Sequence, residues 1–141
     1  MATARSAVKR IPWRGKAWNA HFSWIDSKGN ELAAHGRKFV IDGVSIELYP
    51  SGALCHVLER NRKTLYGWEM TFNFPQALWR VRDMKTVNRW YSRSQLIAVL
   101  TVMKAFGYLR GKNRARLSPF IEAVRKVFYS VDSPTVQRNL S

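Results

Sequence analysis

Hydrophobic and polar positions alternate over much of the first half of the chain. Trp18, Ala20, Phe22 and Trp24 alternate with Asn19, His21 and Ser23, which reads as a first strand. Asp26-Ser27-Lys28-Gly29-Asn30 is a turn signal, and residues 31–41 then return as a second strand interrupted by Gly36. Asp42-Gly43 suits a tight hairpin turn. After it Val44, Ile46 and Leu48 alternate with Ser45, Glu47 and Tyr49, and Pro50-Ser51-Gly52 ends the run. The row Tyr66, Trp68, Met70, Phe72 and Phe74 alternates with Leu65, Gly67, Glu69, Thr71 and Asn73, and predicts a further strand.

Helical spacing takes over elsewhere. Leu54, Val57 and Leu58 fit a helix capped by Ser51, although residues 51–63 also fit a buried strand. The basic run ending at Lys63 favours the helix. Pro75 suits a first helical position, with Leu78, Val81, Lys85 and Asn88 along one side. Ser92 or Ser94 opens a clearer helix through Leu109, whose broad apolar face holds Leu96, Ile97, Val99, Leu100, Met103 and Phe106. Ser118-Pro119 predicts the start of a last helix with a stripe of Phe120, Ile121, Val124, Val127 and Phe128. No internal repeat is visible. The expectation is an α+β fold: an antiparallel sheet from the first half of the chain, with helices packed on one face. Residues 1–16 read as a flexible basic arm, 17–131 as one α+β domain, and 132–141 as a frayed tail.

Charge changes this picture most. The chain of 141 residues carries 24 Lys and Arg against nine Asp and Glu, for a net charge of +15. Such self-repulsion calls for a polyanionic partner, nucleic acid first. Residues 1–38 hold eight basic and two acidic groups, residues 39–74 three and four, and residues 75–141 thirteen and three. A nearly neutral sheet is thus flanked by cationic segments. No apolar stretch approaches the roughly 20 residues a membrane span needs, so no membrane partner is expected. A single Cys55 and an N-terminus without an apolar signal region fit a reducing, cytoplasmic setting.

Catalytic chemistry is sparse. Cys55 and the three scattered histidines His21, His35 and His56 give no zinc spacing, and no glycine-rich phosphate loop appears. No metal, cofactor or catalytic residue is expected, and a binding protein is favoured over an enzyme. A metal-dependent nuclease would need Asp42, Glu47, Glu59 and Glu69 to converge. The two helices expected after Pro75 keep a DNA-binding regulator with a helix-turn-helix in play. Sheet, hydroxyl-bearing strands and abundant Trp favour duplex RNA, read by shape and phosphate. The candidate RNA-binding residues are Arg10, Trp13, Arg14, Lys16, Trp18, Arg37, Lys38, Ser45, Arg60, Arg62, Lys63, Arg80, Arg82, Lys85, Arg89, Arg110, Lys112, Arg114 and Arg116. About half of the six Trp are expected in the core. The wide Leu96–Phe106 face and the last apolar stripe exceed what one sheet covers, which predicts a homodimer.

Gly43-Val44-Ser45-Ile46, followed by Ser51-Gly52-Ala53-Leu54-Cys55-His56, is similar to a strand–turn–helix passage in the RNA-silencing suppressors of tombusvirus-type plant viruses. Small, basic and Trp-rich, the chain most resembles the small suppressor of the aureusviruses among them. The resemblance implies a strand on an RNA-facing sheet, a helix in a dimer interface and Ser45 facing the RNA. It also implies sequestration of duplex or small interfering RNA in the host cytoplasm. Gly67-Trp68 resembles the Gly-Trp hooks by which some viral suppressors bind Argonaute.

Overall fold

A computed structural model of the chain describes residues 9–10, 20–83, 86–109 and 114–130. In chain order the elements are β1 (Lys9–Arg10), β2 (Ala20–Ile25), β3 (Glu31–Ile41), β4 (Val44–Pro50), α1 (Ser51–Leu58), α2 (Arg62–Phe72), β5 (Trp79–Asp83), β6 (Thr86–Ser92), α3 (Arg93–Ala105), a 3-10 turn (Gly107–Leu109) and α4 (Arg114–Phe128). The strands form one sheet in the order β1-β5-β6-β4-β3-β2, antiparallel except for the β1–β5 edge pair. The fold is α+β, as the alternation predicts.

The first two hairpins follow their turn chemistry. Asp26 closes the β2–β3 turn by accepting the amides of Lys28 and Asn30 through Oδ1 at 2.9 and 2.8 Å. Asp42 and Gly43 both have positive φ, the pattern of a two-residue hairpin turn, and Ile41 pairs with Val44. Gly36 does not interrupt β3. Residues up to Gly36 pair with β2, and those from Arg37 onward pair with β4 on the other side.

Two expected elements are exchanged. The apparent strand at 65–74 is α2. Asn61 Oδ1 accepts the Thr64 amide at 2.8 Å to start it, and Asn73 ends it in the left-handed region. Leu65, Trp68, Glu69 and Phe72 also follow helical spacing, and this is the face turned inward, while Met70 is 88 % exposed. Conversely, the helix expected after Pro75 is the β5–β6 hairpin. Its Trp79 and Trp90 face each other across the strands and are buried. The helix-turn-helix therefore loses its first helix.

The other helices stand with shifted ends. In α1 the N-cap is Pro50 with no side-chain cap, so Ser51 is the first helical residue. Ser92 caps α3 in a capping box with Gln95. α4 starts at Arg114 instead of Ser118, which leaves Pro119 inside the helix.

An internal repeat, absent from the sequence reading, is plain in the structure. β3–β4–α1 and β5–β6–α3 are both hairpin-then-helix units in which the second strand runs into its helix without a loop. Val44, Tyr49, Leu54, Val57 and Leu58 recur at one constant spacing as Thr86, Tyr91, Leu96, Val99 and Leu100. The units join where β4 meets β6: Leu48 pairs with Ser92, Tyr49 with Tyr91 and Pro50 with Trp90. Tyr49 pairs with its own equivalent, and Leu48 and Pro50 each pair with the equivalent of the other, the register of a local two-fold axis through Tyr49 and Tyr91. α1 and α3 pack together on the same side.

The helices all contribute to one face. Tyr49 and Tyr91 sit there among Leu54, Leu58, Leu96, Val99, Met103, Phe120, Val124 and Phe128. The opposite face carries a smaller cluster of Ile41, Ile46, Leu48, Trp79 and Trp90. Most of both helical apolar stripes is thus buried within one chain, and of the expected Leu96–Phe106 face Ile97 is the large apolar residue left exposed. All four described Trp (Trp24, Trp68, Trp79 and Trp90) are buried. Trp68 packs against Phe74 and Phe120, so the Gly67-Trp68 pair offers no exposed hook.

Candidate nucleic-acid interface

Cations gather first at the α1–α2 junction. Glu59, in the left-handed region, ends α1 and accepts from the Ser27 amide and hydroxyl at 3.1 and 2.8 Å. This ties the β2–β3 turn to the helix. Arg60 follows and donates to the Glu59 carbonyl at 2.9 Å, while Arg62 and Lys63 stand exposed in the first turn of α2. A cleft of about 560 Å³ beside them is lined by Leu32, Gly52, Cys55, His56, Glu59, Arg60, Asn61 and Arg62. Burial pushes the Cys55 thiol up, which favours its protonated form.

The second gathering lies where α2 and α4 meet the β5–β6 hairpin. Arg80 and Arg89 are directly opposite across the two strands, and Arg10 is the register partner of Arg80 on β1. Glu69 reaches Arg89 from α2 at 3.5 Å, with side-chain exposures of 4 and 23 %. The Arg89 guanidinium lies 4.2 Å from the centre of the Tyr66 ring. Arg80 donates to Gln76 Oε1 at 2.6 Å, and Tyr129 donates to the Gln76 carbonyl at 2.8 Å.

The remaining candidates scatter. Arg37 is drawn into the core, 7 % exposed, with its guanidinium 6.0 Å from the Trp90 ring, so it is not a surface phosphate contact. Lys38 is exposed and pairs with Glu47 at 3.9 Å. Ser45 is exposed opposite Val40 near the hairpin tip. Arg116 is exposed near the start of α4. Arg10, Arg82 and Arg114 are placed by their backbone in β1, β5 and α4. Trp13, Arg14, Lys16, Trp18, Lys85, Arg110 and Lys112 lie outside the described residues. Sequence reasoning missed Arg125, Gln76 and Tyr129, which line one cleft with Glu69. Only the four-residue separation of Arg125 and Tyr129, at and just past the end of α4, hints at a shared side.

Among the described residues no three of His, Cys, Asp and Glu converge where a metal ion could sit. Glu47 is engaged by Lys38, Glu59 by Ser27 and Glu69 by Arg89. No described helix is long and apolar enough to cross a membrane. No family model, curated protein or solved structure matches the chain.

Burial pushes the Glu69 carboxyl above its ordinary value of 4.5, against the opposing pull of Arg89 and Arg80. Its folded-state value therefore exceeds its unfolded one. Its contribution to stability is present below the unfolded value and is lost as pH rises through the folded one. Glu69→Gln should gain stability relative to the wild type as pH is raised from about 4 to 7, near and above the ordinary carboxylate range. Urea denaturation across that range measures it, and a difference independent of pH would show that the arginines fully offset burial.

Proposed function

We propose that this chain binds double-stranded RNA through phosphate contacts and shape, and sequesters it. The observation that carries the reading is where the cations sit on the helices. Helix N-termini favour negative charge, and carboxylates normally supply it. None of the four described helices has an acidic residue in its first turn, and α2, α3 and α4 begin on Arg62, Arg93 and Arg114. Each arginine there opposes its own helix dipole, a cost that a bound phosphate offsets. Three such ends belong to one chain, so the reading needs no second copy. Silencing suppression enters through the resemblance of residues 43–56, where the expected strand-then-helix order is realised as β4 running into α1.

A gel-shift comparison of duplex RNA, single-stranded RNA and duplex DNA at fixed salt tests the ligand class. Duplex RNA should bind most tightly. With six or more phosphates neutralised, affinity should fall by about a thousandfold between 50 and 200 mM salt. A salt-independent affinity would remove the electrostatic basis of the reading.

A further inference from the structure

The two hairpin–helix units differ at one equivalent place. In the first unit Lys38 faces Glu47 across the strands, an opposite-charge pair. In the second the same positions are Arg80 and Arg89, like charges directly opposite each other. That arrangement is destabilising unless something negative compensates it. One carboxylate, Glu69, is supplied from α2, and it serves Arg89. Nε of Arg80 and Nε of Arg89 are buried and donate to no described group. Buried donors without acceptors cost about 1–3 kcal/mol each.

Beside this pair runs a cleft of about 350 Å³, lined by Glu69, Asn73, Phe74, Pro75, Gln76, Arg125 and Tyr129. Its walls include the two residues that hold the pair: Gln76, which accepts from Arg80, and Glu69, which meets Arg89. Arg125 adds an exposed cation from α4. Arg125 thus lines the cleft itself, while Arg80 and Arg89 stand behind two of its walls, bonded to Gln76 and to Glu69, and the cleft is of the right scale for a small anion.

We propose that this cleft is a phosphate-binding subsite, with Arg80, Arg89 and Arg125 as its donors. A phosphate group brings several acceptor oxygens and the negative charge that the arginine pair calls for. Gln76 holds Arg80 in place beforehand, and the Tyr66 ring holds Arg89. Glu69 acts against the ligand as a like charge while it keeps Arg89 oriented. A phosphate of the nucleic-acid backbone and a free phosphate share this chemistry. The RNA source rests on the function proposed above; the subsite itself does not.

The test uses pyrophosphate and a short RNA duplex as probes, with calorimetry and fluorescence anisotropy as readouts. Arg80→Gln and Arg125→Gln should each weaken both probes about tenfold. Lys104→Gln, which removes an exposed cation on α3, sets the loss that general charge produces. Glu69→Gln should tighten pyrophosphate by at least about threefold, because a like charge is gone. A residue with only a structural role would not produce that gain. Arg125 is exposed, so its variant stays informative if Arg80→Gln fails to fold, which circular dichroism checks. Losses no larger than that of Lys104→Gln, together with no gain in Glu69→Gln, would overturn the subsite and leave RNA binding standing. Expected behaviour towards pyrophosphate, with no binding of RNA by the wild type, would support the subsite and overturn its assignment to nucleic acid.

Discussion

Leu100→Asp should abolish the folded state rather than release folded subunits. Leu100 lies on α3 in the main cluster with Leu96, Val99, Met103, Phe120 and Val124. Losing a buried leucine costs about 2–5 kcal/mol. Placing a carboxylate there adds several more, because no described cation partners it. The sum is comparable to the whole stability of a typical domain, about 5–15 kcal/mol. Circular dichroism should show near-complete loss of helix at room temperature, with no folded species of reduced mass in light scattering. A well-folded variant of half the wild-type mass would instead restore the dimer interpretation of this face.

The next largest effect is expected at Gly36. A Cβ there would fall 2.5 Å from the Leu48 carbonyl oxygen and 2.8 Å from the Tyr49 ring. The carbonyl is backbone of the neighbouring strand, and Tyr49 is locked at the two-fold axis, so neither neighbour can yield. Gly36→Val adds two further methyl groups to the same gap. Overpacking of this kind costs about 1–3 kcal/mol or more, and here it also pries β3 from β4. Thermal unfolding should show a fall in Tm of about 10 °C or more. Gly67 is the natural contrast: it lies inside α2 with nothing within 4 Å of the added atom. Gly67→Ala should stabilise by about 0.5–1 kcal/mol through helix propensity. Equal Tm for wild type and Gly36→Val would show that the strands have room to separate there.

The hairpins at Asp26–Asn30 and Asp42-Gly43 were legible because turn residues carry their geometry locally. So was α3, through its Ser92 cap and wide apolar stripe. The α2 segment misleads because Tyr66, Trp68, Met70, Phe72 and Phe74 fit a period of two, while Leu65, Trp68, Glu69 and Phe72 fit a helix equally well. Burial decides between them, and burial depends on the Phe120 side of α4, far along the chain. The β5–β6 hairpin misleads in the opposite sense, since Leu78, Val81, Lys85 and Asn88 fall at helical spacing by chance. With those two segments exchanged, the repeat could not be seen, and few side chains beyond Tyr49/Tyr91, Leu54/Leu96, Val57/Val99 and Leu58/Leu100 mark it. The charge surplus was legible, but the grouping was not. Arg80 and Arg89 become neighbours only through strand register, and Arg125 joins them only through tertiary packing.

Symmetric interfaces of the β4–β6 kind usually form between separate molecules, where their occupancy depends on concentration. Here the two halves are tethered by α2 and its flanking loops. Their meeting is intramolecular, at an effective concentration in the millimolar range for a short link. The tether also frees each half from being identical to the other. One hairpin can keep a neutral Lys38–Glu47 rung while the other carries Arg80–Arg89, an asymmetry that a pair of identical subunits could not hold.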